Sequence, residues 1–327
     1  MIQENKGAAP FNALPDGSRI RGRVKARSNR FAYYVGFLFV GVCIFALPLK
    51  ELIAMSLRSE LYSFIPLIFA TSGYLLISGR KEIFVETAWC FSYGALVLTL
   101  SVAAGAVALK NESMLEADDY LCIMTFSFWL FLTGTFILFF GKRTFIRAIF
   151  PLALLLFTIP FPQLLLDRIV GFLQVSSYMV TGWIFNALGF FPLEQGFSFK
   201  FPEITIEVAS QCSGIRSGMA LVILSLLCGY LFLRSSVNRI LLVIFAVPIA
   251  IFKNGVRIVG LTLGAIYVDP RIMSSSAHKR GGYPVFIMAF SMLMAIVIVM
   301  RKLEKRKIKK RALASVDSSA PGATSGR

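Results

Sequence analysis

The chain has one histidine, His278, and five cysteines, Cys43, Cys90, Cys122, Cys212 and Cys228, with no CxxC pair among them. Zinc and related metals need three or four such ligands at close spacing, so no metal is expected, and nothing in the chain calls for another cofactor. Acidic residues are scarce as well, 17 against 34 Lys and Arg, which leaves a formal net charge of +17. No internal repeat and no phosphate-cradling glycine loop is found. The first thirty residues are polar and basic, without an apolar core until Phe31, so no cleavable signal peptide is expected.

Apolar sequence fills the space these absences leave. At 57% hydrophobic residues and a mean hydropathy of +0.73, the chain is too apolar for a soluble domain of its length and reads as a polytopic membrane protein. Its basic residues gather in both tails and in short loops. The charge is therefore assigned to membrane topology rather than to nucleic-acid binding, and no nucleic-acid partner is expected.

Span positions follow from length, about twenty apolar residues for about 30 Å of hydrocarbon, and from loop charge. Expected spans are Phe31–Leu49, Tyr62–Gly79, Phe84–Leu109, Tyr120–Gly141 and Ile146–Phe161, then Ser217–Leu233, a run from Ile240 that continues as helix past Arg257, and Pro284–Met300. Arg19 to Arg30, Arg80-Lys81, Lys142-Arg143, Arg234–Arg239 and Arg301–Arg311 would face the cytoplasm. Glu112, Glu116, Asp118 and Asp119 would lie outside. The stretch Gln163 to Phe190 is long enough to span but rich in polar residues, and is read as an interfacial or re-entrant helix on the outer side. Were it to span with no other change, the basic C-terminal end would be extracytoplasmic. The alternating Phe197, Phe199, Phe201 and Ile204, Ile206, Val208 predict a short external β-hairpin.

The expected architecture is thus an all-α polytopic membrane protein of about eight transmembrane helices, with one short hairpin and one interfacial or re-entrant helix. Residues 1–30 form a basic disordered cytoplasmic tail, 31–311 a single multispan domain and 312–327 a second disordered cytoplasmic tail. The location is the inner (cytoplasmic) membrane, with membrane lipid as the surroundings.

Three polar places interrupt the apolar second half: Ser210–Met219, Asn254-Gly-Val-Arg257 and the region of His278. Loop charge puts all three on the outer face. Cysteine attacks as thiolate, a form favoured at a helix N-terminus or beside a cation. Cys212 is expected at the head of the sixth span, with Ser210 or Ser213 capping that helix. Neutral imidazole at His278 could take a thiol proton and return it to a leaving amine, and Arg257 could hold an oxyanion or a substrate carboxylate or carbonyl. Each also has a plainer reading: an ordinary interfacial cysteine, an arginine paired with a carboxylate, a solvated loop histidine. The other four cysteines lie in apolar runs and read as packing residues.

Gln-Cys-Ser-Gly-Ile-Arg-Ser at 211–217, Asn-Gly-Val-Arg-Ile at 254–258 and His-Lys-Arg-Gly-Gly at 278–282, with Leu-Gln-Val-Ser-Ser at 173–177 before them, resemble the exosortase/archaeosortase family of membrane transpeptidases. The resemblance covers roughly residues 146–300. It implies a cysteine peptidase or transpeptidase acting on exported proteins that carry a C-terminal sorting tail: a short motif such as Pro-Glu-Pro, a transmembrane helix and a basic end. It further implies Cys212 as nucleophile, Arg257 as electrostatic stabiliser and His278 as acid/base, with Arg216 and Asn254 in support, an extracytoplasmic active site and a surface acceptor for the product. The alternatives are a non-enzymatic membrane component of exopolysaccharide export and a small-solute transporter with an anion at Arg257. A transporter more often shows broken helices paired between two related halves.

Overall fold

In the computed structural model, residues 17–85, 88–202, 204–269 and 282–319 are described, with side chains from Arg30 to Lys310. The chain divides into two compact units, Met1–Phe161 and Pro162–Arg327. Among the described residues, six helices are long and apolar enough to cross a membrane, or up to eight spans if each of two bent helix pairs counts as one, Arg30–Ile44 with Ala46–Arg58 and Ile149–Thr158 with Gln163–Ala187.

The first unit opens with α1 (Gly17–Ile44) and α2 (Ala46–Arg58), which meet at 74°. A straight span to Leu49 was expected; the helix instead breaks at Phe45. Pro48 explains the position, because it lacks an N–H for the carbonyl of residue 44 and is tolerated in the first turn of the new helix. Next come α3 (Ile65–Ser78), the short α4 (Arg80–Ile83), α5 (Phe91–Lys110) and α6 (Ala117–Arg147), which is interrupted at Gly141. Packing of α5 on α6 follows membrane logic, with small residues inside and large ones outside. On α5, Gly94, Ser101, Gly105 and Ala108 are buried, whereas Leu96, Leu100, Val102 and Val107 are exposed. Two reciprocal hydrogen bonds lock the pair, Ser101 Oγ donating to the Ser127 carbonyl at 2.8 Å and Ser127 Oγ to the Ser101 carbonyl at 2.7 Å.

The expected fifth span, Ile146–Phe161, is not one full helix. After α6 ends at Arg147, α7 (Ile149–Leu154) and a 3-10 turn (Leu155–Thr158) provide ten residues, about 15–20 Å. Ile159 is then extended, as the residue before Pro160 must tend to be.

The second unit contains α8 (Gln163–Ala187), a three-stranded antiparallel sheet of β1 (Leu193–Gln195), β2 (Ser198–Lys200) and β3 (Thr205–Glu207), then α9 (Ile215–Phe232), α10 (Ser236–Tyr267) and α11 (Gly282–Ser319). The expected hairpin is β2–β3, in the register Phe199↔Ile206. An additional strand, β1, joins through a two-residue turn at Gly196 (φ +60°), where a type II′ hairpin calls for glycine. Phe199, Ile206 and Val208 pack with Phe185 of α8 and Ile258 and Val259 of α10. On α8 itself the polar side faces protein. Ser177 and Thr181 are fully buried, whereas Leu164, Phe172, Met179 and Trp183 are exposed.

A core of Leu221, Leu242, Ala246, Leu293 and Val297, with Cys228 within it, joins α9, α10 and α11. Glu304 of α11 closes the basic turn between α9 and α10. Its carboxylate accepts the Arg234 and Ser235 N–H groups at 3.0 Å each and Asn238 Nδ2 at 2.7 Å. The run from Ile240 does continue as one helix past Arg257. At 32 residues α10 is about 48 Å long, which places Arg257 roughly 30 Å from its start, about the thickness of the hydrocarbon.

Candidate active site

The segment bearing Cys212 leaves β3 and is tied down at each step. Val208 N–H extends the sheet by donating to the Phe197 carbonyl at 2.8 Å, and the Val208 carbonyl accepts Gln174 Nε2 of α8 at 2.7 Å. Ser210–Cys212 then forms a single 3-10 turn, in which Cys212 N–H donates to the Ala209 carbonyl and Ser213 N–H to the Ser210 carbonyl. Neither Ser210 nor Ser213 caps α9, contrary to expectation. The N-cap is Gly214, left-handed at φ +78° and ψ 13°, without a side-chain cap. A left-handed residue reverses the chain between the 3-10 turn and the helix, a conformation that glycine adopts at no steric cost.

Asn254 joins the two motifs. It is 1% exposed, and its Nδ2 donates to the Cys212 carbonyl at 2.7 Å and to Ser177 Oγ at 3.0 Å. A carbonyl can only accept, so the amide orientation is determined by its partner. Three elements therefore converge on one amide: α8 through Ser177, α10 through Asn254 and the cysteine turn through its backbone. Gly214 packs flush against the same side chain. A Cβ at 214 would lie 2.7 Å from Asn254 Cγ and 2.8 Å from its Oδ1.

One residue earlier on α10, Lys253 is 2% exposed and donates to Ser217 Oγ. Ser217 in turn donates to the Gly214 carbonyl at 3.2 Å. Adjacent side chains of α10 thus hold the Cys212–Ser217 segment at two points. Cys212 is half-buried, and Arg216, on the first turn of α9, is exposed. Arg257 is half-buried one turn beyond Asn254, and residues three apart share a helix face. The structure thus brings together Cys212 and Asn254 by direct contact, with Arg257 on the next turn. His278 lies outside the described residues.

Among the described residues no group of three or more His, Cys, Asp or Glu side chains is placed to hold a metal ion. The five cysteines are free; Cys228 is buried as a packing residue should be, but Cys43 is exposed. A cavity of about 790 Å³, lined in part by Glu51, Arg58, Glu112 and Asp118, belongs to the first unit, and no predicted site residue lines it. Sequence reasoning named Gln174, Ser177 and Ser217 only within motifs, without a role, and did not single out Lys253. A signal for the α8 pair was available, since Gln174, Ser177 and Thr181 recur at i, i+3 and i+7 and form one polar stripe in an apolar helix.

A family model described as Transmembrane exosortase matches residues 55–295, more than half of the chain. The match begins well before residue 146, so much of the first unit belongs to the shared sequence too. No curated protein and no solved structure matches the chain.

Proposed function

The chain belongs to the transmembrane exosortase family, and on that premise we propose that it is a membrane cysteine transpeptidase or protease that removes the C-terminal sorting tail of exported proteins. Its substrate would carry a short motif, a transmembrane helix and a basic end. The observation that carries this reading is the Asn254–Cys212 hydrogen bond. It draws the Asn-Gly-Val-Arg motif onto the backbone of the cysteine motif 42 residues away, and gains its weight because both motifs carry the family resemblance.

In this mechanism the Cys212 thiolate adds to the scissile carbonyl, forming the C–S bond of a tetrahedral intermediate. Arg257 stabilises the developing oxyanion. As the C–N bond breaks, the leaving amine takes a proton from His278, which had accepted the thiol proton, and a thioester remains on Cys212. An acceptor nucleophile, or water, then attacks the thioester, the product departs, and Cys212 regains its proton through His278. Asn254 acts on this chemistry by holding the carbonyl of Cys212, and Arg216 borders the turn. The site would open to the extracytoplasmic side, with both termini in the cytoplasm.

Replacing the nucleophile tests this. Cys212→Ala should abolish processing of a reporter bearing such a tail, read by immunoblot, while the protein stays in the membrane at normal abundance. Processed reporter accumulating with the variant would refute the assignment.

A further inference from the structure

We infer that Lys253 is the buried cation of the cysteine site, an electrostatic and positioning residue that acts on Cys212 through Ser217; this deepens the proposed function and rests on it. A lysine that is 2% exposed in a membrane-spanning helix is costly and is retained where it has a task. The residue has one hydrogen-bond partner among the described residues, the neutral Ser217 Oγ, and no carboxylate pairs with it. A buried charge ordinarily acquires a counter-charge. Here the nearest residue along the bonded path that can become an anion is Cys212.

That path is short. Lys253 Nζ donates to Ser217 Oγ, Ser217 donates to the Gly214 carbonyl, and Gly214 is two residues from Cys212. The neighbouring Asn254 meanwhile fixes the Cys212 carbonyl from the same helical turn. Lys253 and Arg257 lie four residues apart and so share one face of α10. Two cations one turn apart repel each other, and both attract an anion. Lys253 favours each negatively charged state at this place, thiolate and oxyanion alike, and is held in position by Ser217 on the first turn of α9, the helix that follows the cysteine turn.

Charge-selective thiol modification tests the inference without any substrate. In a full-length protein with Cys43, Cys90, Cys122 and Cys228 replaced by Ala, purified in neutral detergent, Cys212 is reacted with an anionic (sulfonatoethyl) and a cationic (trimethylammonioethyl) methanethiosulfonate. Both form a disulfide on Sγ and release methanesulfinate, so access and thiol ionisation affect the two rates alike. Their ratio reports the local potential. We expect Lys253→Met to lower the anionic-to-cationic ratio roughly tenfold and Lys253→Arg to restore it to within about twofold of the parent. Ser217→Ala, which removes the oxygen that holds the ammonium, should lower it in the same direction and decides the matter should Lys253→Met fail to fold. An unchanged ratio in a folded Lys253→Met, as a field from Arg257 alone would give, overturns the inference. It would leave the Cys212→Ala processing result standing, whereas continued processing by Cys212→Ala would overturn the proposed function whatever the ratio.

Discussion

Gly214→Ala is the smallest change that should disable the site while adding only a methyl group. Two costs add. The residue is left-handed, φ +78°, a conformation that costs an L-residue about 1–2 kcal/mol. The new Cβ would also stand 2.7 Å from Asn254 Cγ and 3.1 Å from its Cβ, so the amide must move away. Asn254 is confined by its bonds to Ser177 and Cys212 and is 1% exposed, so little room exists for it to yield. Losing one or both bonds costs about 1 kcal/mol each. Together the penalty is about 2–4 kcal/mol against the arranged turn, or roughly 30- to 1,000-fold in rate if the turn must be arranged for reaction. The assay is the initial rate of reporter processing in membranes, normalised to protein abundance. Gly196→Ala is the control. That residue, in the β1–β2 turn, also has a positive φ, +60°, but a Cβ there would meet nothing within 4 Å. Processing should persist in Gly196→Ala and fall at least 30-fold in Gly214→Ala. Equal rates in the two variants would refute the claim that close packing of Gly214 on Asn254 holds the site.

Two further outcomes are expected. Glu304→Ala leaves two backbone N–H groups and Asn238 without their acceptor, a loss of about 1–3 kcal/mol, and should lower the unfolding temperature in detergent by roughly 2–8 °C; an unchanged melting curve would show that the α9–α10 turn does not depend on α11. His278→Cys, in a background without native cysteines, should react with a membrane-impermeant maleimide added outside intact cells, and labelling only after lysis would contradict the shared outer face of Cys212, Arg257 and His278.

What could be read from the sequence followed from periodicity and length. The alternation of Phe199 and Ile206 marked β2 and β3, and the apolar run Ile240–Phe252, read as continuing in helix past Arg257, marked α10 as one helix. Strand β1 escaped because its three residues are all exposed and carry no alternation. The stretch Ile146–Phe161 has the composition of a span, and its apolar length hides the fact that Pro160 and the 3-10 turn end it early. A cap was sought among Ser210 and Ser213 because serine is a favoured N-cap, yet the chain reverses direction there and the left-handed Gly214 takes the position. Side-chain contacts between distant segments lie beyond any local pattern. Lys253 and Ser217 are 36 residues apart and Asn254 and Ser177 are 77 apart, so the motifs could name Cys212, Asn254 and Arg257 without showing which of them touch. On α8 the polar stripe was visible, but periodicity alone cannot distinguish a stripe turned to water from one turned to protein, and Ser177 and Thr181 are buried.

Under the proposed function, Cys212 carries the substrate as a thioester. The direct measurement is intact-protein mass spectrometry of the enzyme mixed with a tail-bearing substrate and quenched in acid, with and without neutral hydroxylamine. A covalent adduct of the substrate's N-terminal portion should map to Cys212, disappear with hydroxylamine and be absent from Cys212→Ala. Product forming in the wild type with no hydroxylamine-sensitive adduct, or with the adduct on another residue, would contradict it.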